Sequence, residues 1–187
     1  MEALLVSIGT VAFAEMGDRT QLLSLVLAAK YRKPWPILAG VLLATLANHA
    51  TAGLIGVWFG HFLTAAVLDA TVGLSMVAIA LWTLRPDRLQ GGAGVRGRGA
   101  FVATLIAFFI AEIGDKTQVA TVALAAGYSS LAAVVAGTTA GMLAANVPVV
   151  FMGKAFAEHL PMKAIHYGAA GLFVLLGCVF ILRALMH

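Results

Sequence analysis

Apolar residues recur in six long runs, and most of the strongly polar residues collect in the short intervals between them. A bilayer crossing takes about 20 mainly apolar residues in helical form. The pattern predicts six helical spans over residues 3–29, 36–60, 65–84, 100–127, 131–153 and 164–185. Pro34 and Pro36 suit the first turn of the second helix, where a missing N–H costs nothing. Arg85-Pro86-Asp87 closes the third span, and Pro161 interrupts the chain before the sixth. Tyr31, Trp35, Trp58, Trp82, Tyr128 and Tyr167 fall near predicted span ends, as amphipathic rings do at a membrane interface.

Composition agrees with the pattern. The 187 residues are 61% hydrophobic and 11% charged, against roughly 25% charged in a soluble domain. Mean hydropathy is +0.98. A net charge of +4 could signal nucleic acid in a soluble chain, but here the basic residues sit in loops. Lys30, Arg32, Lys33, Arg85, Arg88, Arg96, Arg98, Lys154 and Lys163 fall on one side of the six-span arrangement, and only Arg183 falls on the other. The positive-inside rule makes the rich side cytoplasmic, which puts both termini outside the cytoplasm. Ala12-Phe13-Ala14 imitates a leader cleavage site, but Glu2 stands where such a leader needs positive charge, so the first run reads as a retained helix. Cys178 is the single cysteine and excludes an intrachain disulfide or a thiolate metal site.

Two spans carry charge in their middle. Glu15-Met16-Gly17-Asp18-Arg19-Thr20 and Glu112-Ile113-Gly114-Asp115-Lys116-Thr117 share the form E-x-G-D-[KR]-T, and each is followed by a glutamine, Gln21 or Gln118. A charge at mid-membrane costs at least ~2.5–3.5 kcal/mol on insertion scales, so such residues mark ion or proton pathways. The motifs are offset by 97 residues, an offset that also aligns Tyr31 with Tyr128, Gly40 with Gly137 and Gly56 with Gly153; a one-residue gap brings Asn48 onto Asn146. The chain therefore divides into repeat one (1–85), a cytoplasmic linker (86–99) and repeat two (100–187). Three spans per repeat is an odd number, so the second repeat inserts inverted, with a substrate site near the midplane. The expected fold is an all-α integral membrane protein of six transmembrane helices in two inverted-topology repeats of three.

On a continuous helix, Glu15 and Asp18 would share a face, as would Glu112 and Asp115, and Arg19 and Lys116 would reach their own glutamates four residues back. Whether the helix breaks at Gly17 and Gly114 is open at this level. Four carboxylates and two cations sum to −2, which one divalent cation or two protons would neutralise. The donors are carboxylate, hydroxyl and amide oxygens, a set that suits Mn2+, Ca2+ or Mg2+ rather than Zn2+ or Cu+. Glu15, Asp18, Glu112 and Asp115 are the candidate metal and proton ligands, and Arg19 and Lys116 balance their charge. Thr20, Gln21, Asn48, Thr117, Gln118 and Asn146 are further substrate-site candidates, with helix back-bonding or interhelical hydrogen bonding as the alternative. His49 has no counterpart histidine, which favours packing or a minor proton role. Gly56-x-x-x-Gly60 and Gly137-x-x-x-Gly141 read as close helix packing. Asp69, Glu158, His61 and His159 read as solvated span-end groups.

The doubled motif on the first and fourth spans resembles the Gdt-type divalent cation exchangers, and the resemblance covers essentially the whole chain. It implies transport of Mn2+, in some members also Ca2+, in exchange for protons, with no resident cofactor. It carries to Glu15, Gly17, Asp18, Arg19 and Thr20, and to Glu112, Gly114, Asp115, Lys116 and Thr117. The minimal termini are similar to bacterial members, which implies an inner-membrane location and manganese export. The partners implied are the divalent cation and the lipid bilayer, not nucleic acid. The competing expectation is an exporter of amino acids or other small organic cations on a similar 3+3 scaffold, but the motifs are surrounded by small aliphatic residues. An intramembrane enzyme is disfavoured because Cys178 has no nearby histidine and no H-E-x-x-H occurs.

Overall fold

A computed structural model describes residues 1–84, 99–153 and 161–187. The linker assigned to 86–99 lies outside the described residues except for Gly99, as do Glu158 and His159. The described chain is all helical: α1 (Glu2–Glu15), α2 (Arg19–Tyr31), α3 (Pro34–Gly60), α4 (Ala65–Thr83), α5 (Ala100–Glu112), α6 (Lys116–Gly127), α7 (Leu131–Met152) and α8 (Met162–Leu185). Helices α3, α4, α7 and α8 are each long and apolar enough to cross a membrane. Pro34 and Pro36 occupy the first turn of α3 as predicted.

The spans expected over 3–29 and 100–127 are not continuous. Each is a pair of half-helices joined by a tight turn inside the motif. Met16 has φ −63° and ψ 116°, Gly17 has φ +80°, and Asp18 N–H donates to the Glu15 carbonyl at 3.0 Å. Ile113 (−62°, 120°), Gly114 (φ +73°) and the 3.1 Å bond from Asp115 N–H to the Glu112 carbonyl repeat it. This is a type II turn, whose third position needs positive φ and therefore glycine. The motif glycine ends one half-helix and lets the aspartate start the next.

Matching glycines set the packing around these turns. Helix α3 lies against α5, and α7 lies against α1. A Cβ on Gly40 would sit 2.8 Å from Thr104 Cβ and 2.9 Å from the Phe101 carbonyl. One on Gly137 would sit 2.7 Å from Ser7 Cβ and 2.6 Å from the Leu4 carbonyl. Those contacts are equivalent at the 97-residue offset, and in each case one half of the chain packs on the other. Gly141 and Gly56 also meet neighbouring backbone closely, whereas Gly60 meets nothing nearer than 3.8 Å, so only part of its motif packs as expected. Helices α4 and α8 cross at Gly73 and Gly177, where each glycine faces the other's carbonyl oxygen.

The two ends of the bundle are distinct. At one end Arg183 approaches Glu2 at 3.8 Å, Tyr128 stacks edge-on with Phe180, and Asp69 meets His187 at 3.4 Å. At the other end Trp35 packs edge-on with Phe151, and Arg32 and Lys33 line a cleft with Gly153. The exterior is apolar, with Leu5, Leu54, Leu74, Leu81, Leu175 and Leu182 all exposed. The interior holds Ser7, Thr10, Ser24, Thr45, Asn48, His49, Thr138 and Asn146 together with the motif residues. A water-soluble domain places these classes the other way round. Cys178 lies on the exposed surface of α8.

Candidate functional site

The two motif turns meet through their side chains, and every motif charge except that of the half-buried Arg19 is removed from the surface. Glu15, Asp18 and Glu112 are 0% exposed, Asp115 2% and Lys116 1%. Each glutamate ends a half-helix at its carbonyl-rich end, and each aspartate is the N-cap of the next, beside free N–H groups that favour negative charge. The expected stacking of glutamate and aspartate on one continuous helix face is therefore replaced by a turn that aims both carboxylates inward. The glutamines hold the turns: Gln21 Oε1 accepts from Gly17 N–H and Gln118 Oε1 accepts from Gly114 N–H, both at 2.7 Å. Gln21 also donates to the Ala145 carbonyl at 2.9 Å and ties the first turn to α7.

The ion pairs run between the motifs rather than within them. Lys116 Nζ pairs with Asp18 Oδ1, and Arg19 pairs with Asp115 Oδ1 at 2.8 Å. On a continuous helix Arg19 and Lys116 would have stood within reach of Glu15 and Glu112; with the helix broken, each cation instead meets the aspartate of the opposite repeat. The aspartates, unpaired on the continuous-helix expectation, take the cations of the opposite repeat. Thr20 donates to the carboxylate of Glu15 and, at 3.3 Å, to Asp18 Oδ2; Thr117 donates to Asp115 Oδ2 at 3.2 Å. Both threonines thus bind motif carboxylates.

Carboxylate oxygens of Glu15, Asp18 and Asp115 lie within 4.8 Å of one another, near enough to share one ion. Glu112 stands outside this trio. Its Oε2 lies 3.6 Å from Nε2 of His49, a fully buried histidine of α3. Glu15 Oε1, both carboxylate oxygens of Glu112 and both His49 ring nitrogens meet no hydrogen-bond partner. Asn146 is engaged: its Oδ1 accepts from Ser24 at 2.6 Å and its Nδ2 donates to the Met142 carbonyl at 3.0 Å. Asn48 donates to the Phe109 carbonyl at 3.1 Å and joins α3 to α5. Because α3 and α7 are uninterrupted and Gly40 matches Gly137, the one-residue gap has no place in the structure. At the constant offset Asn146 corresponds to His49, and Asn48 to Ala145. Sequence reasoning missed the His49–Glu112 contact and the Ser24–Asn146 bond; a lone histidine deep in an apolar span was the available signal.

Buried carboxylates on broken helices, inside an apolar exterior, define the class: an all-helical integral membrane protein with a candidate ion site among its buried acids. Its sequence matches the family described as "Divalent cation/proton antiporter GDT1" over residues 3–91 and 100–187. The chain belongs to that family, one of transporters rather than enzymes. It is 52% identical to a Vibrio cholerae protein named "Putative manganese exporter", over 94% of this chain and 88% of that one. It is 29% identical to the GDT1-like protein sll0615 of Synechocystis, over 90% and 91% of the two chains. It is also 39% identical to the chloroplastic protein PAM71 of Arabidopsis thaliana, over 51% of this chain and 26% of that one. No solved structure matches the chain.

Proposed function

We propose that the protein exports Mn2+ from the cytoplasm in exchange for protons, with Ca2+ as a second accepted cation. The observation that carries this reading is the carboxylate trio of Glu15, Asp18 and Asp115, buried and within 4.8 Å, in a chain of a cation/proton antiporter family. Glu112 adds a fourth acid one tight turn from Asp115. The motif charges sum to −2, and in a low-dielectric site both one divalent ion and two protons restore neutrality. The two loads are therefore mutually exclusive occupants of the same acids, which is the requirement for exchange. Lys116 and Arg19 hold the aspartates between loads and are displaced in part when the ion enters. In the sequence the motifs are flanked mainly by small aliphatic residues, which disfavours an organic cation as substrate.

The scaffold we propose is six crossings in two inverted repeats of three, with α1–α2 and α5–α6 each serving as one broken crossing. Supporting it are the identical type II turns, the reciprocal pairs Lys116–Asp18 and Arg19–Asp115, and the equivalent contacts of Gly40 and Gly137. Broken helices at the midplane are how inverted-repeat transporters free backbone groups for ions. The basic end, with Arg32 and Lys33, faces the cytoplasm of a bacterial inner membrane, and both termini face away from it. Cells lacking the protein should accumulate manganese and become sensitive to added Mn2+. Unchanged manganese content, with altered export of an organic solute, would defeat the reading.

A further inference from the structure

We propose that His49 supplies a nitrogen ligand to the transported ion beside Glu112, and that this donor favours Mn2+ over Ca2+ and Mg2+. The inference rests on the cation-transport reading above and names the residue that sets its selectivity. Four observations converge on it. His49 is fully buried in the middle of α3. Neither of its ring nitrogens meets a hydrogen-bond partner, although buried polar groups in proteins are almost always bonded. Its Nε2 lies 3.6 Å from Oε2 of Glu112, beyond a good hydrogen bond. That carboxylate makes no hydrogen bond of good geometry, although the Thr117 hydroxyl lies beside it. Two donors that bind one ion at about 2.0–2.2 Å stand about 3–4 Å apart, so the observed separation fits a shared ion better than a direct bond.

The pair adjoins the trio, because Asp115 N–H closes the turn on the Glu112 carbonyl. Repeat comparison sharpens the point. Asn146, the counterpart of His49, spends its amide on Ser24 and Met142 and so ties helices together. Only the first repeat offers a free nitrogen donor at this position. Ca2+ and Mg2+ take oxygen ligands, whereas imidazole binds first-row transition ions. One imidazole among carboxylates therefore discriminates against the alkaline earths without building the multi-nitrogen or thiolate site that Zn2+ or Cu+ prefers.

Two measurements on the full-length, tag-free protein test this. Pulsed electron paramagnetic resonance at less than one Mn2+ per chain, with 15N-labelled histidine, should show a directly bound imidazole nitrogen in the parent and none in His49→Asn. In proteoliposomes, His49→Asn should raise the KM for Mn2+ about tenfold while the KM for Ca2+ stays within about twofold, since Mn2+, a first-row transition ion, accepts an imidazole ligand more readily than Ca2+ does. His49→Gln replaces His49→Asn if the latter does not fold, and the parent spectrum needs no variant. Absence of nitrogen coupling in the parent, coupling that persists in the variant, or KM values that move together or not at all would each overturn the proposal. A parent that carries no Mn2+ would instead defeat the exporter reading. A parent that carries Mn2+ without nitrogen coupling defeats only the role of His49.

Discussion

Replacing Gly114 by alanine separates backbone strain from packing. Gly114 has φ +73°, and a Cβ added there meets no atom within 4 Å. The substitution therefore causes no clash, and its cost is the left-handed backbone alone, about 1–2 kcal/mol for a residue other than glycine. That lowers the folding equilibrium constant about 5–30-fold. Asparagine tolerates this conformation better, so Gly114→Asn should cost less, and valine, branched at Cβ, should cost most. Equilibrium unfolding in mixed micelles should rank the four as glycine, asparagine, alanine, valine in falling stability. Gly40→Ala is the contrasting case. Its Cβ would lie 2.8 Å from Thr104 Cβ and 2.9 Å from backbone, so α3 and α5 must separate, at about 1–3 kcal/mol. Alanine at 114 as stable as glycine, or asparagine worse than alanine, would refute the turn as the cause of the helix break.

Lys116→Gln leaves the fully buried Asp18 carboxylate without its cation and should cost about 3–5 kcal/mol in the same unfolding assay; Arg19→Gln should cost less, because Arg19 is 31% exposed and water can replace it at Asp115. Equal losses would show that burial does not govern these pairs. Glu15→Gln and Glu112→Gln should each impair transport severely and weaken Mn2+ binding by about 2–5 kcal/mol in isothermal titration; a variant that binds and transports like the parent removes its glutamate from the site. A cysteine at Gly94 should react with an impermeant reagent only after the membrane of intact cells is disrupted, and ready labelling from outside would reverse the inferred direction of export.

The apolar runs, the doubled motif and its offset were legible in the sequence because each is a local pattern. Four of the six predicted spans appear as helices with ends within about two residues, the usual uncertainty of helix boundaries. The breaks at Gly17 and Gly114 were not legible, because glycine is tolerated inside membrane helices and only the surrounding packing decides whether it takes positive φ. That one undecided torsion changed the ion pairs as well. Spacing rules put Arg19 beside Glu15 on a continuous helix, whereas the turn sends it to Asp115 in the other half. Gln21 and Gln118 looked like ligands by type, and the structure uses them to close the turns. His49 carried no motif around it, so its approach to Glu112 depended on long-range packing of α3 that no local pattern records.

Exchange itself is tested most directly in proteoliposomes loaded with a proton-sensitive dye and given an inward or outward Mn2+ gradient. Protons and Mn2+ compete for the same carboxylates, so apparent Mn2+ affinity should fall as pH falls and rise as pH rises. With the −2 site, entry of each Mn2+ should drive out about two protons, and an imposed proton gradient should by itself pull Mn2+ uphill. Mn2+ flux that ignores the proton gradient and moves no protons in return would contradict exchange at this site.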